Sequence, residues 1–161
     1  MMDHNIIFKK ASPIHAPTIH QLIKEVLDSY HLYQFRPAYV DQDVDDLETN
    51  YFNNNGYFWI VENGLGTIIA SVAIYKMDDH TCELRKMYLK MQEQGKGIGR
   101  MLFQTAIAKA QELGYTKMVL KTNSKLETAI AMYKKYGFEF ETISACDQKA
   151  DCDVSMSKIL I

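Results

Sequence analysis

A mixed α/β fold is predicted by three features of the 161-residue chain. Runs rich in β-branched and aromatic residues alternate with stretches of helical apolar spacing. Asn63-Gly64 separates two such runs as a hairpin turn would. A strand–helix–strand crossover over 81–122 is long enough to join two neighbouring parallel strands. The elements follow in the order β-α-α-β-β-β-α-β-α-β-β, about seven strands and four helices in one domain spanning 1–161.

"NIIFKKA" (5–11) reads as a strand ended by Pro13, and 15–30 as a helix with Ile19, Leu22, Ile23, Val26 and Leu27 on one face. Pro17 suits that helix's first turn, where a missing N–H costs little. An acidic second helix is expected over 41–52, stopped by "NNNG" (53–56). Strands follow at 57–63, 66–77 and 81–91, then a glycine loop and a helix over 98–114 closing on Gly114. A strand at 115–122 and a helix at 124–137 precede two last strands, "FEFETIS" and "CDVSMSKILI".

With 47% apolar and 24% charged residues, the composition is that of a globular protein. A net charge of −2 argues against a nucleic-acid partner bound through overall positive charge. No apolar run approaches the roughly 18 residues of a membrane span, and the start "MMDHNIIFKK" lacks a signal-peptide layout. Cys82, Cys146 and Cys152 form no CxxC pair, and their odd number argues against a disulfide framework. A cytoplasmic location is therefore expected. His15 and His20 lie five apart, which is not the spacing of a helical metal pair, so no metal site is expected.

The stretch "QEQGKGIGRMLF" (92–103) sets three glycines in five positions immediately before a helix. Unpaired N–H groups and the helix dipole make such an end attractive to phosphate, and glycine admits the anion close to the backbone. A P-loop would need Gly-Lys followed by Ser or Thr, which is absent. A dinucleotide fingerprint would need glycine where Leu102 stands and an acid where the next strand ends in Lys121-Thr122.

The spacing Gln94-x-x-Gly97-x-Gly99 resembles the Q/R-x-x-G-x-G/A motif of the GNAT acetyltransferase superfamily, whose amides hold the coenzyme A pyrophosphate. "CELRKMYL" (82–89) resembles the family's central strand beside the pantetheine arm, and "AIAMYKKYGF" (129–138) its A-I-x-L-Y-x-K-x-G-F segment. The resemblance covers the whole element order and implies a largely antiparallel sheet with a parallel pair at the cofactor site.

It further implies that Gln94, Gly95, Lys96, Gly97, Ile98, Gly99 and Arg100 surround the pyrophosphate, mostly through main-chain N–H groups. The side chains of Lys96 and Arg100 either add charge-assisted contacts or face solvent. Met87, Tyr88 and Leu89 align with the segment that pairs with pantetheine, and the Leu89 N–H with the donor to the thioester carbonyl. Tyr133 matches the tyrosine that protonates the departing thiolate; the alternative is a packing aromatic, as read for Tyr136. Glu83 is the candidate base for the amine's proton, or else a strand-edge or acceptor-binding group. Many relatives carry asparagine where Leu126 stands, and Asn123 is the candidate for a similar contact with the coenzyme A arm. The alternation sets Leu84, Lys86 and Tyr88 on one side of that strand, against Arg85, Met87 and Leu89.

The implied activity is N-acetyl transfer from acetyl-CoA, as co-substrate, to a primary amine by direct attack in a ternary complex. A small-molecule acceptor is favoured over a protein lysine or N-terminus, and the rival class is a non-catalytic acyl-CoA-binding module. No nucleic acid or membrane partner is expected, and the expected assembly, if any, is a homodimer through the C-terminal strands. The acidic run 41–48 is expected as a solvated face or as a receiver of a cationic amine, with Tyr30, Tyr33, Phe35 and Tyr39 as cleft lining or core.

Overall fold

The computed structural model describes residues 5–142 and 152–160. The strands are β1 (Ile7–Lys10), β2 (Tyr57–Glu62), β3 (Ile68–Lys76), β4 (Thr81–Leu89), β5 (Lys117–Thr122), β6 (Glu139–Phe140) and β7 (Val154–Ile159). They form one seven-stranded sheet in the order β1-β2-β3-β4-β5-β7-β6. Every neighbouring pair is antiparallel except β4 and β5, which are parallel. This is the mixed sheet with a parallel pair that the sequence predicts. The end of the "FEFETIS" strand and Cys146 lie outside the described residues.

Helix α1 (Ala16–Asp28) buries Ile19, Leu22, Ile23, Val26 and Leu27, the predicted stripe. Burying a side chain of this size contributes about 2 kcal/mol. With the segment 38–52 it covers one face of the sheet, over Phe58, Ile60 and Ala73. Helices α2 (Ile98–Glu112) and α3 (Glu127–Lys135) cover the other face through Leu102, Phe103, Ala106 and Tyr133. Among the described residues no helix is long and apolar enough to cross a membrane.

Three local expectations are corrected or refined. The acidic segment is not an α-helix: Ala38–Asp45 winds as 3-10 turns and Glu48–Phe52 as a π-type turn. Tertiary ion pairs to Asp41 and Asp43 override helical periodicity there, since both carboxylates reach Lys86. The hairpin does turn through Asn63-Gly64, closed by Gly66 N–H on Asn63 O at 3.0 Å, but the positive φ falls at Gly66 (79°) and not at those two residues, with Asn63 Oδ1 accepting from the N–H groups of Leu65 and Thr67. Cys82 is a buried free thiol, but Cys152 is disulfide-bonded, against the expectation from the cysteine count.

A fourth correction shapes the site. The β3–β4 register passes from Ala73↔Arg85 to Ser71↔Tyr88, so one residue of β3 opposes two of β4. This bulge sits at Lys86, whose φ is 52°, with the Lys86 carbonyl accepting from Ser71 Oγ at 2.6 Å. It reverses the alternation along the strand. Cys82, Leu84, Met87 and Leu89 face the α2 side, whereas Tyr88 packs on the α1 side.

Candidate active site

The parallel pair holds register only from Thr81↔Lys117 to Leu84↔Leu120. Beyond that point β5 stays paired with β7 as far as Thr122, while β4 continues to Leu89 paired with β3 alone. The two strands therefore part, leaving one edge of β4 without a neighbouring strand among the described residues. Because Lys90 N–H donates to Ile69 of β3 at 3.0 Å, the Leu89 N–H points the opposite way, into the gap. A cleft of about 410 Å³ opens there, within the range of small-molecule sites.

The glycine turn forms one end of this cleft. Gly97, at φ 85°, caps α2 in a left-handed conformation that a residue with a Cβ adopts only at a cost. Met101 N–H makes the first helical bond, to Gly97 O, and none of the N–H groups from Gly95 to Arg100 has a partner among the described residues. Gly99 is different, because its φ is ordinary and a Cβ there would meet only Met132 Sδ at 3.9 Å. Neither backbone strain nor packing against the protein requires glycine at that position.

Gln94, Gly95, Gly97, Gly99 and Arg100 all line the cleft. Ile98 is buried in the core instead, and Lys96 is outside the lining, paired with Glu93 at 3.0 Å. From β4 the lining includes Glu83, Met87, Tyr88 and Leu89. Asn123 lines it too, with its Oδ1 accepting from Lys125 N–H at 3.0 Å at the start of α3, and so does Leu126. Among the candidate aromatics only Tyr30 contributes; Phe35 and Tyr39 are exposed, and Tyr33 packs on the α1-side core.

Tyr133 reaches the cleft from α3, its ring packed against Phe103 and Phe138 at 5.7 and 5.9 Å between centroids. Among the described residues its hydroxyl has one hydrogen-bond partner, Met87 Sδ at 3.9 Å, a weak acceptor. Burial, and then the neighbouring Tyr88, push the phenol well above its ordinary value, so it keeps its proton. Tyr136 is half-buried against Phe103 and lies outside the cleft lining.

A charge cluster contributes Arg36, Glu83, Arg85, Lys86 and Lys121 to the cleft lining, with Asp41 and Asp43 behind it. Arg36 grips Asp41 with two hydrogen bonds of 2.7 and 2.8 Å. Lys86 Nζ donates to Asp41 at 2.7 Å and to Val40 O at 3.1 Å, and lies 3.1 Å from Asp43. Asp43 also accepts from Tyr51 Oη. Arg85 donates to Glu83 Oε1 and stacks 3.6 Å over the Tyr75 ring. Glu83 Oε2 is buried without a hydrogen bond among the described residues, with Lys121 Nζ 3.5 Å away. Sequence reasoning missed Arg36, Lys86 and Lys121; the one available signal was the charged pair Arg85-Lys86 inside an otherwise strand-like run.

Burial would raise the Asp41 carboxyl, but the Arg36 hydrogen bond and the Lys86 charge outweigh it and hold the group at about 2, below its ordinary 3.8. A folded value below the unfolded one gives stability that is present above about pH 4 and lost as pH falls through 2. Urea melts are expected to lose on the order of 2 kcal/mol from this group between pH 5 and pH 2. In Asp41→Asn that slope should flatten; an unchanged slope would contradict the assignment.

The comparisons with known proteins agree with this geometry. The profile of the acetyltransferase (GNAT) family matches residues 20–138. An uncharacterised N-acetyltransferase of Escherichia coli K12, YjgM, is 31% identical over 149 residues, 89% of each chain. A GNAT-family acetyltransferase from Staphylococcus aureus Mu50 superposes with a TM-score of 0.87 over 97% of this chain and 99% of its own, at 19% identity. The putative acetyltransferase yncA of Salmonella typhimurium, solved with its cofactor acetyl-CoA, gives 0.75 over 98% and 95%, at 17% identity. The chain belongs to the GNAT acetyltransferase family. It is thus an acyltransferase of the acyl-CoA-dependent N-acetyltransferase type.

Proposed function

We propose that this protein transfers an acetyl group from acetyl-CoA to the primary amine of a small molecule, by direct attack in a ternary complex. The observation that carries the reading is the parting of β4 from β5 beside a turn of unpartnered N–H groups. Those two features fit a ligand with an anionic middle and an extended, amide-containing arm. Acetyl-CoA supplies the activated thioester.

The protein's own groups divide the work. Amides from Gly95 to Arg100 bind the pyrophosphate, with the Arg100 side chain beside them at the cleft. The open edge of β4 at Met87–Leu89 aligns the arm as an added strand, and Asn123 borders it from the start of α3. Leu89 N–H faces the thioester oxygen and stabilises the negative charge that gathers there. Tyr133, held neutral, gives its proton to the leaving sulfur. Glu83 takes the proton that the attacking amine must lose.

Incubation with acetyl-CoA and an amine panel, with CoA release followed, tests the reading. Turnover with at least one small amine is expected; none across the panel would overturn it. Replacing Gly99→Leu should leave Tm within about 2 °C, because the added Cβ meets nothing among the described residues nearer than Met132 Sδ at 3.9 Å and the rest of the side chain starts from the cleft lining. It should weaken coenzyme A binding at least about tenfold in calorimetry, roughly 1.4 kcal/mol. Unchanged affinity would remove the pyrophosphate from this turn.

A further inference from the structure

We propose that the acceptor is a free α-amino acid, its amine received at Glu83 and its carboxylate by Lys121 and Arg85. The proposal rests on the N-acetyl transfer reading above and names the substrate class of that site.

The charges around the cleft are unevenly placed. Among the described residues Glu83 is the only carboxylate in its lining, which also holds Arg36, Arg85, Lys86 and Lys121, with Arg100 at the glycine turn. Asp41 and Asp43 lie behind that lining, and they engage Arg36 and Lys86 at 2.7–3.1 Å. Two cations and one carboxylate are left to meet an acceptor.

Neither of those cations is fully occupied. Arg85 gives its Nε–H to Glu83, stacks on Tyr75, engages the Tyr51 hydroxyl and has its Nη1 3.9 Å from Asp43, beyond hydrogen-bond length, which leaves part of its five-donor fork for a further anion. Lys121 has a side chain about one-quarter exposed and one ionic neighbour among the described residues, Glu83 Oε2, at 3.5 Å and without a hydrogen bond. An acceptor carrying only positive charge would set like against like on this wall, and a polyamine would do so more than once. An acceptor that also carries a carboxylate supplies the missing anion, and a guanidinium beside an ammonium suits a planar carboxylate.

Spacing narrows the class. Arg85 is bonded to one oxygen of Glu83 and Lys121 lies 3.5 Å from the other, so the cationic and anionic receivers are adjacent. Adjacent receivers fit an amine and a carboxylate borne by the same carbon, not by the ends of a long chain. Glu83 Oε2, buried and without a hydrogen bond, gains a donor when the amine arrives. Leu32 and Val40 line the cleft beside this patch and offer an apolar surface to the acceptor's side chain.

In the step itself the α-nitrogen bonds to the acetyl carbon and the carbon–sulfur bond breaks, its electron pair leaving on sulfur. Of the two protons the ammonium gives up, one passes to Glu83 and then to water. The other balances the proton that Tyr133 gives to the sulfur.

The experiment compares each common L-α-amino acid with its amide and its decarboxylated amine, alongside spermidine, as acceptors for acetyl-CoA. At least one amino acid should exceed its amide and its amine by tenfold or more in kcat/KM. Lys121→Met should cut that acceptor's kcat/KM about tenfold more than the amide's, mainly through KM, and Lys121→Arg should restore most of the preference. Equal or better use of the amides, the amines or spermidine overturns the proposal while leaving acetyl transfer standing. An equal loss on acid and amide in Lys121→Met overturns the carboxylate contact. Absence of turnover with every acceptor overturns both readings.

Discussion

Tyr133→Phe is expected to lower kcat by two to four orders of magnitude while coenzyme A affinity stays within about twofold, as loss of a general acid does. The change removes one oxygen whose one hydrogen-bond partner among the described residues is Met87 Sδ at 3.9 Å. Ring packing on Phe103 and Phe138 is retained, so stability should hold or rise slightly. The phenol is nearly inaccessible and burial keeps it protonated, which leaves it a donor throughout the working pH range. Single-turnover CoA release with saturating acceptor, together with a binding isotherm, separates the chemical step from affinity. A kcat within about threefold of the parent would return Tyr133 to a packing role.

Lys86→Met should have the largest effect on stability. The Lys86 side chain is 4% exposed and its ammonium bridges Asp41 and Asp43, so its removal leaves Asp41 to Arg36 alone and Asp43 to Tyr51 and the more distant Arg85. Breaking a buried pair from one side costs about 3–5 kcal/mol, which for a domain of this size lowers Tm by roughly 6–20 °C. Lys86 also sits at positive φ, a conformation that costs a side-chain-bearing residue about 1 kcal/mol or more. The ion pairs thus hold the bulge in place, and the bulge sets which side chains of β4 face the cleft. Adding Asp41→Asn and Asp43→Asn to Lys86→Met should recover part of the loss in urea melts; no recovery would move the cause from charge to packing.

The elements built from local signals could be read directly from the chain. The apolar stripe of α1, the β-rich runs of β2 and β3 and the glycine turn before α2 each carry their own periodicity or conformational demand. So does the parallel crossover, whose length admits few connections. Much of the donor half of the candidate site fell on those signals. What escaped depended on distant partners. The bulge at Lys86 is a register shift fixed by Ser71 on β3 and by carboxylates 43–45 residues earlier in the chain, so simple alternation misassigns Met87, Tyr88 and Leu89. The acidic segment looked helical because composition does not reveal that Asp41 and Asp43 turn inward to the same ammonium. Ile98 and Lys96 matched a motif whose work is done by backbone, and their side chains go to the core and to Glu93.

The open edge of β4 has a bearing on how such a scaffold diversifies. If the donor lies along the open edge of β4 as proposed, it is held by main-chain groups that every residue type but proline possesses, so most substitutions at Met87–Leu89 would leave those groups in place. Glu83 and Arg85, earlier on the same strand, and Arg36 and Lys121 would act through their side chains, so on the same reading a substitution at any of them would change what the protein selects. One half of the catalyst is thereby insulated from drift, and the other is free to be retuned toward new nitrogen nucleophiles.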